Sequence, residues 1–291
     1  MANICNLHDA STTEGEILRR HTSFRIGGPA QYFCRPSGIV EFIDAVRRCR
    51  RGGIPLRVLG RGTNLLVSDS GVPHAVIATR QVHGITANGA TISACCGDSL
   101  PRVVSFAAQR GLSGLEPLAG IPGSIGGAIR MNAGTRNGCI DRIVQSVTVL
   151  TPEDEIAHLG AEQLGFGYRS SALNGLIVLS AGLKLEQSDP ERVMNLTREH
   201  RAQKAASQPL DENSAGCVFK NPIGGPAGQI LDRLGMKGAA EGDAIISTRH
   251  ANFILNRANA AAADVLALIA RARKAALDAL GICLELEIEV W

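Results

Sequence analysis

The spacing of apolar residues divides this 291-residue chain into helices and strands before any chemistry is considered. Ile39, Val40, Phe42, Ile43 and Val46 recur at helical spacing. Ser37 is suited to cap that helix, and Gly52-Gly53 ends it. Residues 56–59 and 65–67 read as short strands around Gly60-Arg61-Gly62-Thr63-Asn64, and 74–79 as another. A second helix is expected over about 99–110, closed by Gly111. Residues 111–138 carry neither a helical nor a strand period and are too long for an idle connection. Strands are expected near 144–150 and 176–185. Asp189-Pro190-Glu191 has the cap-then-proline signature of a helix start. Composition shifts there, which puts a domain boundary near residue 189. Beyond it the pattern predicts a helix over 227–234, a strand over 252–256 and an alanine-rich helix over 259–280. The final strand, 283–290, alternates. Leu284, Leu286, Ile288 and Val290 share one face, and Glu285, Glu287 and Glu289 the other. This mixture of helices and hairpin-like strands predicts an α+β protein.

Composition narrows the function classes. At 45% hydrophobic and 20% charged residues the chain folds rather than staying disordered. With 3% aromatics, its core must come from Leu, Ile, Val and Ala. A net charge of +3, with no stripe of Lys and Arg interleaved with aromatics, argues against a nucleic-acid partner but leaves room for an anion-binding pocket. No apolar run approaches the roughly 18 residues of a membrane span, so membrane insertion is not expected. Residues 1–13 are polar and lack a signal-peptide core, so a cytoplasmic location is expected, and a monomer with it. Eight cysteines, at 5, 34, 49, 95, 96, 139, 217 and 283, include no CxxC pair, and no metal site is expected.

Two loops carry the candidate chemistry. The first is Gly60, Arg61, Gly62, Thr63, Asn64 and Leu65. The second runs through Gly120, Ile121, Pro122, Gly123, Ser124, Gly126 and Gly127 to Asn132 and Gly134. Glycines let backbone N–H groups close on phosphate oxygens because no Cβ stands in the way. Ser124 and Thr63 add hydroxyls, and Asn64 and Asn132 add amides. No Walker lysine follows either loop. The Rossmann fingerprint is incomplete, since residue 65 is Leu and not Gly. Two such loops suit the pyrophosphate of a dinucleotide, although tight turns alone would also use glycine.

Several motifs then occur in order: Arg25-Ile26-Gly27-Gly28-Pro29-Ala30, Gly60 through Val67, Gly114-Leu115-Glu116, Gly120 through Gly127, and Met131-Asn132-Ala133-Gly134. They continue in Gly167-Tyr168-Arg169-Ser170-Ser171, Gly216-Cys217-Val218-Phe219-Lys220-Asn221-Pro222, His250-Ala251-Asn252-Phe253-Ile254 and Leu284-Glu285-Leu286-Glu287. Over nearly the whole chain this resembles the UDP-N-acetylenolpyruvoylglucosamine reductases, in the shorter form without an extra tyrosine-bearing loop. The resemblance implies an FAD-binding domain of the vanillyl-alcohol-oxidase (PCMH) type over 21–188, with lobes of about 21–80 and 81–188. It implies a short N-terminal segment, 1–20, and an α+β substrate-binding domain over 189–291. FAD would lie on the two glycine loops. NADPH would reduce it, and hydride would pass to the methylene carbon of UDP-N-acetylglucosamine enolpyruvate, giving UDP-N-acetylmuramate for peptidoglycan.

The same resemblance assigns three catalytic groups. Arg169 would grip the substrate carboxylate as charge builds there. Glu287, selected by the motif over Glu285 and Glu289, would assist the enolate if held protonated. Cys217 would give the proton, and it departs from the family pattern, which has serine at this position. A thiol near its reference pKa of about 8.5 is largely protonated at neutral pH and can donate. Tyr168, Lys220, Asn221 and His250 are candidates for substrate or nicotinamide contact. Two rival readings stay open: another oxidase of the PCMH type, and a flavin-binding protein without activity.

Overall fold

A computed structural model describes residues 11–291. The expectations that touch residues 1–10, Cys5 among them, lie outside the described residues. The chain divides into two compact units. One contains the described residues up to Thr13 together with Tyr32–Arg61 and His74–Lys204. The other is assembled from Glu14–Gln31, Gly62–Pro73 and Ala205–Trp291.

In the first unit, helix α1 (Ile39–Arg51) follows Gly38. Ser37 does not cap it. Its backbone N–H instead donates to the Glu41 carboxylate at 2.9 Å, so the helix is closed by a downstream acid and not by the serine hydroxyl. The strands Leu56–Leu59 and Val72–Ala78 pair in parallel, Leu59 opposite Ala78, and the first glycine loop leaves the sheet at that end. A five-stranded sheet runs Ile156–Gly160, Val144–Leu150, Ile177–Lys184, Thr91–Cys95, Ile85–Asn88, with every neighbour antiparallel. Helix α2 (Leu100–Ala108) buries Leu100, Val103, Val104 and Ala107 in the same core as Ile92, Val147 and Leu183. The stretch without periodicity holds a 3-10 turn at Glu116–Leu118 and a short α-helix, α3 (Ile125–Arg130), packed on the Ile177–Lys184 strand. Six residues are too few to display a helical period. Helix α4 (Pro190–Ser207) begins as expected, with Asp189 Oδ1 accepting the Arg192 N–H at 2.8 Å.

In the second unit, helices α5 (Ala227–Arg233) and α6 (Ala262–Leu280) pack together, and α6 lies against a three-stranded antiparallel sheet of Ala240–Glu241, Ala244–Ile246 and Ile254–Asn256. The alanines of α6 serve this packing. Val265, Leu268, Ile269, Ala272 and Ala276 share one core with Leu231, Ile246 and Ile288. The helix starts at Ala262, three residues later than its alanine-rich sequence suggests. Asn256 Oδ1 and Asp243 hold the N–H groups of Ala260 and Asn259, and Asp69 accepts those of Ala262 and Ala263.

The expected strand 283–290 is mostly extended chain that changes partner. Glu287 N–H donates to Val218 O at 2.8 Å, and Lys220 N–H to Glu285 O at 2.9 Å. Only Glu289–Val290 forms a regular ladder, parallel to Leu65–Leu66. Its alternation is kept where it counts: Leu284 and Ile288 are buried, whereas Glu285 and Glu289 are exposed. Among the described residues no helix is long and apolar enough to cross a membrane.

Candidate active site

The first unit brings parts of both glycine loops together. A Cβ on Gly60 would stand 2.5 Å from Ser124 Oγ, so the two turns meet at a distance only glycine allows. Ser124 is 2% exposed and caps α3, accepting the Gly127 N–H at 3.3 Å. The N–H groups of Ile125 and Gly126 are taken by Asp98 O and Cys96 O. Those of Gly120, Gly123 and Ser124, and of Gly60 and Arg61 on the facing loop, make no hydrogen bond within the described chain. Unengaged donors in a glycine-rich cradle suit a phosphate group. These residues fit the diphosphate of FAD. Ile121 and Pro122 shape the turn between, and Gly126 approaches the Cys96 side chain closely. Burial lowers the pKa of the Arg61 guanidinium, and the positive charge of Arg80 adds to the effect.

The far end of the second loop is tied to the turn carrying Tyr168 and Arg169. Asn132 is 4% exposed and adopts a left-handed backbone, φ 43°. Its amide donates to Asp141 Oδ2 at 2.9 Å and to Gly167 O at 3.0 Å, and its oxygen accepts the Asp141 N–H at 3.3 Å. Arg169 is left-handed too, φ 54°, and its Nη2 donates to Gly134 O at 2.8 Å. The Tyr168 ring is 52% exposed, with the Arg169 guanidinium 5.3 Å from its centre.

The other expected residues belong to the second unit. Gly62 N–H makes no hydrogen bond within the described chain. Asn64 donates to Glu287 O at 3.0 Å, and Leu65 is buried opposite Glu289. Gly216 sits beside Thr63, 4.0 Å from the Thr63 carbonyl to where its Cβ would be. Cys217 opposes Phe253 in an isolated antiparallel bridge. The Glu287–Val218 backbone bond sets the glutamate's segment directly beside that of the thiol. Glu287 is half-buried while Glu285 and Glu289 are exposed, so the structure separates three acids that look alike in sequence.

Lys220 reaches the exposed Glu285 at 3.4 Å. Asn221 Oδ1 accepts the first N–H of α5 at 3.0 Å. His250 packs edge-on to Phe253, with ring centres 5.0 Å apart, and lies over Gly228, whose added Cβ would fall 2.9 Å from its Cε1. Its Nδ1 is placed to accept the Asn252 N–H at 3.3 Å. Sequence reasoning passed over Asn252. It is buried, and it holds the strand after Cys217 through Phe219 N–H to Oδ1 at 2.9 Å and Nδ2 to Phe219 O at 2.7 Å. Asp98 was passed over as well. Its buried carboxylate receives the Gly84 and Cys95 N–H groups. Among the described residues no group of His, Cys, Asp and Glu could hold a metal ion.

Comparison with known proteins agrees with this layout. A family model for an FAD binding domain matches residues 30–160, and one for the UDP-N-acetylenolpyruvoylglucosamine reductase C-terminal domain matches 208–291. The UDP-N-acetylenolpyruvoylglucosamine reductase of Moorella thermoacetica is 42% identical over 277 residues, 95% of this chain and 92% of that one. That of Desulforamulus reducens is 41% identical over 278 residues, 94% and 92% of the two chains. The crystal structure of the Thermus caldophilus reductase, 40% identical, superposes with a TM-score of 0.82 over 96% of this chain and 98% of that one. A variant of Phl p 4, a glucose oxidase, shares the fold alone: 15% identity and a TM-score of 0.51 over 65% of this chain and 44% of that one. The chain is therefore an FAD-dependent oxidoreductase, with an FAD-binding domain of the vanillyl-alcohol-oxidase type and an α+β C-terminal domain. Within that class it belongs to the UDP-N-acetylenolpyruvoylglucosamine reductase family.

Proposed function

We propose that this chain reduces UDP-N-acetylglucosamine enolpyruvate to UDP-N-acetylmuramate at the expense of NADPH, in peptidoglycan precursor synthesis. The observation that carries the reading is the backbone bond from Glu287 to Val218, which aligns the segments of an acid and a thiol in one unit. FAD, when bound, supplies the hydride.

The chain's own residues do the rest. Gly60, Arg61, Gly120, Gly123 and Ser124 present donors to the diphosphate. Arg169 binds the substrate carboxylate and offsets the negative charge that grows there. The Cys217 thiol releases its proton to the carbon next to the carboxylate, as the methylene carbon gains hydride. Glu287 donates a hydrogen bond to the enolate oxygen when protonated. Tyr168, Lys220 and His250 each serve in contact with substrate or nicotinamide, and Asn221 does so while holding the first N–H of α5. A UDP-sugar and NADPH are both cytoplasmic pools, which supports a cytoplasmic enzyme.

NADPH absorbance tests the reading. Consumption should match the enolpyruvyl substrate added, mole for mole, and stop without it. Cys217→Ser should keep substantial turnover. Cys217→Ala should lose substrate reduction by about two orders of magnitude, a typical acid–base contribution, yet still bleach its flavin with NADPH. Full turnover in the alanine variant removes Cys217 from the mechanism. NADPH loss that ignores the substrate removes the function.

A further inference from the structure

Among the described residues four non-glycine residues have a left-handed backbone: Arg25, Asn132, Asp154 and Arg169. That conformation is costly away from glycine and persists only where the surroundings hold it. Asn132 and Arg169 hold each other. The Asn132 amide donates to Gly167 O, two residues before Arg169, and the Arg169 guanidinium donates to Gly134 O, two residues after Asn132. Asn132 is fixed in turn by Asp141, which accepts its second amide hydrogen and donates its own N–H to the Asn132 oxygen. The amide has thus engaged both hydrogens and its oxygen inside the protein, at 4% exposure. Two more bonds cross the same seam: Ser171 Oγ to Arg130 O at 2.8 Å, and Arg130 Nη1 to Leu173 O at 3.3 Å.

We propose that Asn132, held by Asp141, is a positioning residue for Arg169, fixing the arginine's turn to the end of the glycine loop. The inference rests on the substrate-binding role given to Arg169 above. A flexible arginine could still attract a carboxylate. Stabilising charge that develops only during reaction needs a guanidinium already in place, because reorienting it would cost part of the gain. Tying the arginine's turn to the loop that receives the flavin diphosphate gives hydride source and carboxylate clamp a common frame. The asparagine, with both amide hydrogens and its oxygen engaged inside the protein, therefore acts on the distance between the two.

The test separates the two halves of turnover. Asn132→Gly keeps the left-handed backbone and deletes the amide. The holoenzyme variant should keep its FAD content and bleach with NADPH within about twofold of the parent. Oxidation of its reduced flavin by UDP-N-acetylglucosamine enolpyruvate should slow by at least tenfold, in kcat more than in KM. Asp141→Ala should reproduce that split, and Asp141→Asn, which retains an acceptor, should restore it. Loss of FAD together with equal slowing of both halves, in Asn132→Gly and Asp141→Ala alike, would make the cluster a general support of the fold and overturn the proposal. So would an unchanged substrate half. Arg169→Ala is the reference. If it leaves the substrate half untouched, the role given to Arg169 fails, and a split in Asn132→Gly would then belong to another residue.

Discussion

At the scale of single residues, chemistry and burial must be weighed together. Seven described cysteines are free thiols, and they are not equivalent. Burial pushes Cys96 up to about 12, helped by the neighbouring Cys95 thiol, and burial likewise pushes Cys49 up to about 12, helped by Cys34. The folded state keeps both protons where an unfolded chain would begin to release them, near the ordinary thiol value of 9.0. Their contribution to stability is complete below pH 9 and is lost as pH rises from there towards 12. Moving from pH 8 to pH 10 should lower the urea midpoint, with roughly 1 kcal/mol of the loss coming from Cys96. Cys96→Ala should flatten that slope, and a slope identical to the parent's would remove the thiol as its cause. The side chains themselves were legible to different degrees. Arg169, Cys217 and Glu287 stood out through motif order. The partner of Asn132 did not, because Gly167 lies 35 residues away and contributes only a carbonyl, which no sequence displays.

At the scale of elements, long periodic segments were legible and short irregular ones were not. The strand expected near 144–150 forms with those bounds, and Asp189-Pro190 opens α4. Helix α3 escaped because its six residues, Ile-Gly-Gly-Ala-Ile-Arg, are set by neighbours and not by propensity: Ser124 caps it, and Cys96 and Asp98 take its first N–H groups. The final strand was legible in its alternation but not in its change of partners, which depends on tertiary pairing. The meeting of the glycine turns yields a test at this scale. Gly60→Ala places a methyl group 2.5 Å from Ser124 Oγ and should weaken FAD binding by about tenfold, in line with the 1–3 kcal/mol of overpacking. With Ser124→Ala also present, the next contact is the residue-124 Cβ at 3.5 Å, so the double variant should bind FAD better than additivity allows. Fluorescence of released FAD measures both. Strict additivity would show that the two turns act independently.

At the scale of the whole molecule, the second unit is discontinuous in sequence. A composition shift near residue 189 gave no sign that Glu14–Gln31 and Gly62–Pro73 would join it, because neither segment differs in character from its surroundings. The closing ladder makes that join: Glu289 N–H to Asn64 O, Trp291 N–H to Leu66 O, and Ser68 N–H to Trp291 O at 2.7 Å. Removing residues 289–291 deletes these three bonds, at roughly 1 kcal/mol each. The thermal midpoint should fall by about 5 to 10 °C. An unchanged midpoint would mean that water replaces the ladder without loss.

That ladder also orders events during biosynthesis. Asn64 must wait for Glu287, 223 residues downstream, which at ribosomal speeds is a delay on the order of 10 to 45 s. Throughout that interval Phe24, Ile26 and Leu66 have emerged but lack most of the core they belong to. The first unit, complete at Lys204, can assemble during translation. The second can close only after residues 289–291 have been made. A nascent chain stalled before residues 289–291 therefore carries Phe24, Ile26 and Leu66 without most of their core, a state in which apolar surface is open to chaperones and to aggregation.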